Sequence, residues 1–229
     1  MSIMKLHENR VGPIALTASL AFILGVALYF APVEIPHKIT IPVATIAIAS
    51  MWLCPWQMTL ALLFSALGDY FGSYDNFIGQ MGSFAIAHIW FITYFIDRYF
   101  KKVEHDRKLT AKAKGYLGIV TFCTLALVAT AFFKIAPAAE PYIIRIGVCI
   151  YAFLIGGMML IALLQRSSLF ALGAVLFVFS DFILAWNRFV EPIPYGNYLI
   201  IVPYFAAQWL LFIRATPFRI APEMRLMRF

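Results

Sequence analysis

The chain has 229 residues, 63% of them hydrophobic and 13% charged, with a formal net charge of +7 and a mean hydropathy of +0.86. A soluble domain averages about 45–50% apolar and about 25% charged residues, so this chain has too little polar surface to coat a water-soluble globule. Soluble enzyme domains, disordered chains, disulfide-rich secreted scaffolds and ordinary nucleic-acid-binding domains are excluded. About 20 apolar residues span a bilayer as a helix, and the composition points to an all-α polytopic membrane bundle.

Apolar runs bounded by charged residues, Pro and Gly predict eight transmembrane helices, at about 12–31, 36–53, 57–73, 77–100, 114–134, 142–164, 168–190 and 197–215. The first follows Lys5 and Arg10 and lacks an Ala-x-Ala cleavage site, so it is expected to remain as a helix. Only Cys54, Pro55 and Trp56 separate the second and third. Residues 1–229 read as a single transmembrane domain, with halves at about 12–100 and 114–215 and a basic tail at 216–229. The three cysteines, Cys54, Cys123 and Cys149, form no C-x-x-C and no metal spacing, and read as small apolar packers. No metal and no cofactor is expected.

Lys and Arg are distributed unevenly about these spans. One side collects Lys5, Arg10, Arg98, Lys101, Lys102, Arg107, Lys108, Lys112, Lys114, Arg166, Arg214, Arg219, Arg225 and Arg228, fourteen of the eighteen. The other keeps Lys38, Lys134, Arg145 and Arg188. Positive residues stay cytoplasmic, which places both termini and the 98–114 loop inside. This asymmetry accounts for the net charge without invoking nucleic acid; a basic loop of this kind also suits anionic lipid headgroups.

The third and seventh spans echo one another. Leu63-Phe64-Ser65-Ala66-Leu67-Gly68-Asp69-Tyr70-Phe71 resembles Leu176-Phe177-Val178-Phe179-Ser180-Asp181-Phe182. Each places a small residue and then Asp deep in an apolar helix, and the next helix carries an internal polar residue, His88 or Gln208. Four helices separate the copies, which suggests a parallel four-plus-four repeat.

A charged side chain at a helix centre costs roughly 2.5–3.5 kcal/mol by insertion scales, and such residues usually face a bundle interior or a wet cavity. Asp69 and Asp181 both lie about 13 residues into their spans and are candidate catalytic groups, with His88 as a proton relay or orienting group. Each Asp also has a plain reading, as a bond to a neighbouring helix, and His88 as a hydrogen-bonded packer. Tyr204 and Gln208 lie one turn apart on one face, suited to binding a substrate or to joining helices. Lys38, Arg145 and Arg188 fall at the outer ends of their spans. They read as snorkelling cations or as a cradle for a lipid phosphate. Asn76, between the third and fourth spans, completes the candidate substrate-binding set. No phosphate-binding loop, serine-hydrolase elbow or zinc-protease motif occurs.

On these residues the chain resembles the YhhN-like membrane family, which includes lysoplasmalogenases. The resemblance rests on Leu63 to Asp69, on His88, on Gly173 to Asp181 and on Tyr204-Phe205-Ala206-Ala207-Gln208. One departure is that the family often has Lys-Pro at the start of the second span, whereas Lys38 is followed here by Ile39, with Pro42 later. The resemblance implies an integral membrane hydrolase that cleaves the vinyl ether of a lysoplasmalogen to a fatty aldehyde and a glycerophospho-base. Its partners would be a lysophospholipid substrate and membrane lipids. Two competing readings are a proton-coupled transporter of a small molecule or lipid, using the same carboxylates, and a non-catalytic lipid-binding or scaffold protein.

The charge count generates a first test. A reporter fused after Phe229 that works only in the cytoplasm is expected to be active, and one that works only outside it to be silent. The opposite pattern overturns the assigned orientation.

Overall fold

The computed structural model describes residues 3–101 and 111–216; over these the chain is helical, joined by short turns, and contains no strand. The helices are α1 (Ile3–Phe30), α2 (Thr40–Leu53), α3 (Trp56–Ser73), α4 (Phe77–Lys101), α5 (Ala111–Thr130), α6 (Tyr142–Leu164), α7 (Ser168–Phe189) and α8 (Gly196–Ala215). Beyond Thr130, α5 runs on through a π-helical turn, Ala131–Ile135, and a last short turn, Ala136–Ala138. The helix positions match the eight predicted runs. Five stretches are long and apolar enough to cross a membrane: Val11–Phe30, Lys114–Ala138, Tyr142–Leu164, Ser168–Phe189 and Gly196–Ala215. At 1.5 Å per residue α2 is only about 21 Å long, short of a hydrocarbon core of about 30 Å. The polar positions Asp69 in α3 and Gln80, Ser83 and His88 in α4 lower the hydropathy of those two helices. The 217–229 part of the basic tail and residues 102–110 of the basic loop lie outside the described residues.

The chain divides into two compact units. One takes the described residues up to Phe91 and those from Gln208 onward; the other takes Ile92–Ala207. Helices α4 and α8 therefore each contribute to both.

In the first unit, side-chain size decides which face packs. On α1, Val11, Ala15, Ala18 and Phe22 recur at helical spacing and are buried, while Leu16, Leu20, Ile23 and Leu24 are exposed. Both faces are apolar, so no difference in hydrophobicity sorts them; Ala15 and Ala18 let the helix backbones approach closely, with Val11 and Phe22 packed at either end of the contact. The buried face packs on α2, and α2 on α3. Pro42 sits in the first turn of α2, where its missing N–H leaves no bond broken. Pro55 precedes α3 and ends any continuation from α2. The resulting hairpin is tied by the Thr59 hydroxyl, which donates to the Ser50 carbonyl at 3.0 Å.

The second unit is built on α5 to α7 and the ends of α4 and α8 that belong to it. The Gln165 amide donates to the Phe95 carbonyl at 2.9 Å and fixes the end of α6 to α4. Ser180 donates to the Ile200 carbonyl at 2.8 Å and ties α7 to α8. In the π-helical turn, Ala131 and Ile135 are buried, whereas Phe133 is among the most exposed aromatics.

The α3–α4 contact gives a stability prediction. A Cβ added at Gly68 would lie 2.9 Å from the Phe84 ring, which is itself buried. Gly82, on the same helix pair, has open space. Gly68→Ala is expected to destabilise the protein by about 1–3 kcal/mol through overpacking. Gly82→Ala should be neutral or stabilising by up to about 1 kcal/mol, because Gly is a poor residue for a helix interior. Thermal unfolding in detergent checks the pair; equal shifts for both variants would contradict this packing.

Candidate active site

Within the first unit, α3 and α4 run antiparallel in a register set by three contacts. Trp56 meets Trp90 edge-on with ring centroids 5.1 Å apart, Gly68 faces Phe84, and Gly72 faces Gln80. His88 lies one turn beyond Phe84, and so stands level with α3 about one turn before Gly68, near Phe64 and Ser65. His88 and Asp69 thus sit on neighbouring helices, offset in depth by about one turn, or roughly 6 Å. Both are buried, Asp69 at 2% exposure and His88 at 0%.

Gln208 belongs to the same unit and is also 0% exposed. Neither its Oε1 nor its Nε2 meets a hydrogen-bond partner among the described residues. Next to it, the Trp209 indole donates to the Ser19 hydroxyl at 3.2 Å, which seats this end of α8 on α1. An apolar side chain of similar size would avoid the desolvation of a primary amide, which costs roughly 1–3 kcal/mol for each group left unsatisfied. Packing therefore gives no reason for a glutamine at this position.

In the second unit, Asp181 is 8% exposed and accepts a short hydrogen bond from the Tyr151 hydroxyl of α6. Both residues line a cavity of about 50 Å³ walled by α5, α6 and α7, with Thr124, Val128, Val148 and Gly156 among its apolar and small neighbours. Liquid water occupies about 30 Å³ per molecule, so the space suits a water beside the carboxylate and the phenol. The π-helical turn of α5 contributes Ala131 and Ile135 to the same wall. Tyr204 is buried in this unit with its ring edge-on to Phe177 at 5.6 Å.

Asp69, His88 and Gln208 fall in one unit; Asp181 and Tyr204 fall in the other. Trp56 to Asp69 in α3 and Ser168 to Asp181 in α7 are both thirteen residues.

The remaining predicted residues have local partners. The Lys38 ammonium donates to the carbonyls of Ala31 and Val33, at 3.0 and 3.1 Å, and so caps the end of α1. Arg145 is ion-paired to Glu140 at 2.6 Å. Arg188 is exposed at the end of α7. Asn76 is exposed, and its Oδ1 accepts the Gly79 N–H at 2.9 Å, the geometry of an N-cap on α4. Two groups at helix ends are shifted. Burial pushes the Cys54 thiol up to about 12, well away from a reactive thiolate. The Tyr70 hydroxyl, hydrogen-bonding to Tyr74, raises the Tyr74 phenol above its usual range.

An all-helical chain with five helices fit to cross a bilayer, and with carboxyl, imidazole and amide groups held inside it, is an integral membrane protein with a buried polar site. The chain belongs to the YhhN family, whose model matches residues 37–215. It is 27% identical to mouse (Mus musculus) lysoplasmalogenase TMEM86B over 208 residues, 85% of this chain and 84% of that one. It is 29% identical to the rat (Rattus norvegicus) TMEM86B over 70% of this chain and 61% of that one. To bovine (Bos taurus) lysoplasmalogenase TMEM86A it is 27% identical over 71% of this chain and 66% of that one. No solved structure matches the chain.

Tyr151 escaped the sequence reading because it carries no charge and sits in an apolar run among eleven tyrosines. One signal was present: a phenol in mid-span must find a partner for its hydroxyl once buried. The two hydrogen-bonding states generate opposite expectations. Gln208→Leu should leave the melting temperature in detergent unchanged or raised. Tyr151→Phe should lower stability by about 1–3 kcal/mol, since the buried Asp181 carboxyl loses its hydrogen bond from the phenol. A marked loss of stability in Gln208→Leu would make the amide a structural bond instead.

Proposed function

We propose that this protein is an intramembrane lipid hydrolase that cleaves the vinyl ether bond of lysoplasmalogens, releasing a fatty aldehyde and a glycerophospho-base. Membership of the YhhN family and relatives named lysoplasmalogenase support this reading. The observation that carries it is the Asp181–Tyr151 pair, a buried carboxyl held by a phenol beside a cavity with room for water.

The reaction starts with proton transfer to the alkene carbon remote from the ether oxygen. The alkene electron pair forms the new C–H bond, and the cation is shared with oxygen as an oxocarbenium ion. Water adds to the cationic carbon and loses a proton, giving a hemiacetal. The hemiacetal C–O bond to the glycerol then breaks, the glycerol oxygen takes a proton, and the aldehyde leaves. One water is consumed, and no redox step occurs. The chemistry needs one carboxylic acid to deliver the proton and one negative charge to stabilise the cation and accept a proton from water. Two carboxyl groups in different surroundings divide such roles. We assign them to Asp69 and Asp181, with Tyr151 orienting Asp181, and with His88 a turn from Asp69 as an orienting group. The buried amide of Gln208, together with Tyr204, is assigned to substrate binding.

The outer cations are a weaker part of the reading. Lys38 and Arg145 hold local partners and Arg188 is exposed at the end of α7; any phosphate contact by these three is proposed on their position at the outer helix ends alone. Both termini are proposed to lie in the cytoplasm, on the charge asymmetry alone. The transporter reading gains no support from the relatives, whose names describe a hydrolytic activity.

Asp69→Asn and Asp181→Asn keep side-chain size while removing charge and proton donation. Each is expected to lower aldehyde release from a lysoplasmenyl lipid by about 10²-fold or more, with the protein still inserted and helical. Near-normal turnover in both variants would end the two-carboxyl mechanism.

A further inference from the structure

A second cavity of the second unit has no place in the chemistry proposed above. It encloses about 540 Å³ between the ends of α4 and α6 and the beginnings of α5 and α7. That volume lies within the range of about 300–1,000 Å³ usual for small-molecule sites. Its wall is aliphatic, formed by Leu117, Val120, Leu163, Leu172 and Val175, and its mouth is polar, with Arg166, Ser167, Ser168 and two tyrosines. Leu164 and Leu172 are each nearly half exposed, so the apolar part opens sideways, toward lipid.

Charge at this end is mainly positive, with Asp97 already ion-paired to Lys101 at 2.8 Å. Arg166 lines the cavity. The Arg98 guanidinium lies 5.4 Å from the ring of Phe170, next to the residues of the mouth on α7. Lys114 is exposed in the first turns of α5. This is also the end that the charge rule assigns to the cytoplasm, where anionic lipids concentrate. An aliphatic slot with a cationic mouth fits an amphiphile with an anionic head.

The catalytic substrate is excluded as the occupant by distance. From Ser168 at the mouth to Asp181 is thirteen residues along one helix, about 20 Å. In a lysoplasmalogen only the glycerol backbone separates the phosphate from the vinyl ether. A head bound at Arg166 therefore cannot bring its vinyl ether to Asp181.

We propose that this cavity is a second lipid site, which holds one anionic phospholipid of the cytoplasmic leaflet. Its phosphate sits at Arg166, and an acyl chain lies along Leu172 and Val175. The lipid would fasten α5 and α7 together at the end of the unit remote from the carboxylate.

Native mass spectrometry of the full chain in detergent tests this, with dioleoyl phosphatidylglycerol, dioleoyl phosphatidylcholine and glycerol phosphate as probes. The wild type should retain one phosphatidylglycerol at least roughly tenfold more tightly than phosphatidylcholine, whose choline cation offsets its phosphate and is repelled by the cationic mouth. Arg166 has a positive φ of 48°, and Asn tolerates that conformation well, so Arg166→Asn removes the charge with little backbone strain. It should bring phosphatidylglycerol down to the phosphatidylcholine level. Leu172→Trp, which fills the slot and keeps the charge, should weaken both lipids. Equal retention of the two lipids by the wild type, or no change in either variant, overturns the proposal. Competition by glycerol phosphate as effective as that of the lipid also overturns it, since it would mark a site for soluble anions. The readout is binding, so its failure leaves the proposed hydrolysis untouched.

Discussion

Asp69 and Asp181 each place a carboxyl group inside an apolar helix, at a cost of roughly 2.5–3.5 kcal/mol by insertion scales. Much of the remaining structure follows from holding these groups away from lipid. Asp181 is turned toward α6, where a phenol donates to it, and it lines a cavity of about 50 Å³ that has room for water. Asp69 is buried at 2% exposure, beside Gly68, whose missing side chain lets the Phe84 ring of α4 approach α3. The carboxylate of the first unit therefore depends on a missing side chain, and that of the second on a tyrosine hydroxyl.

Polarity does not sort the apolar packing, because lipid tails are as apolar as the core; on α1, small residues mark the close contact. The alanine stripe of α1 and the exposed leucines beside it are equally hydrophobic, yet only the former is buried. Polar groups that remain near the helix ends are consumed by the backbone. Lys38 caps α1 and Asn76 caps α4. Such caps look like binding residues in a sequence, since the same side chains that satisfy helix ends also suit phosphates and headgroups.

The helices were legible because each is a long apolar run closed by Pro, Gly or charge; seven of the eight appear within about four residues of the predicted bounds, while α1 begins at Ile3, nine residues before the predicted start, because its first turns carry polar and charged residues that an apolar-run reading leaves out. Membrane-crossing was less so: α2 is short, and α3 and α4 carry polar positions, which leaves five stretches that meet the length and apolarity of a span. The buried polar residues Asp69, His88, Asp181, Tyr204 and Gln208 stood out because each interrupts an apolar helix, and all five are buried. Tyr151 did not, since a phenol is unremarkable in an aromatic-rich chain until its partner is known. The partners of Arg145 and Lys38 lie in irregular segments, where periodicity gives no register.

The central claim is that the buried carboxyls serve acid-catalysed cleavage of a vinyl ether. Such cleavage begins at an alkene carbon, and a saturated alkyl ether offers none to protonate. The most direct measurement compares purified protein on a lysoplasmenyl lipid and on its saturated alkyl ether analogue. The account predicts one aldehyde and one glycerophospho-base per vinyl ether lipid consumed, and no cleavage of the saturated analogue. Absence of aldehyde from the first, or comparable cleavage of both, would contradict it.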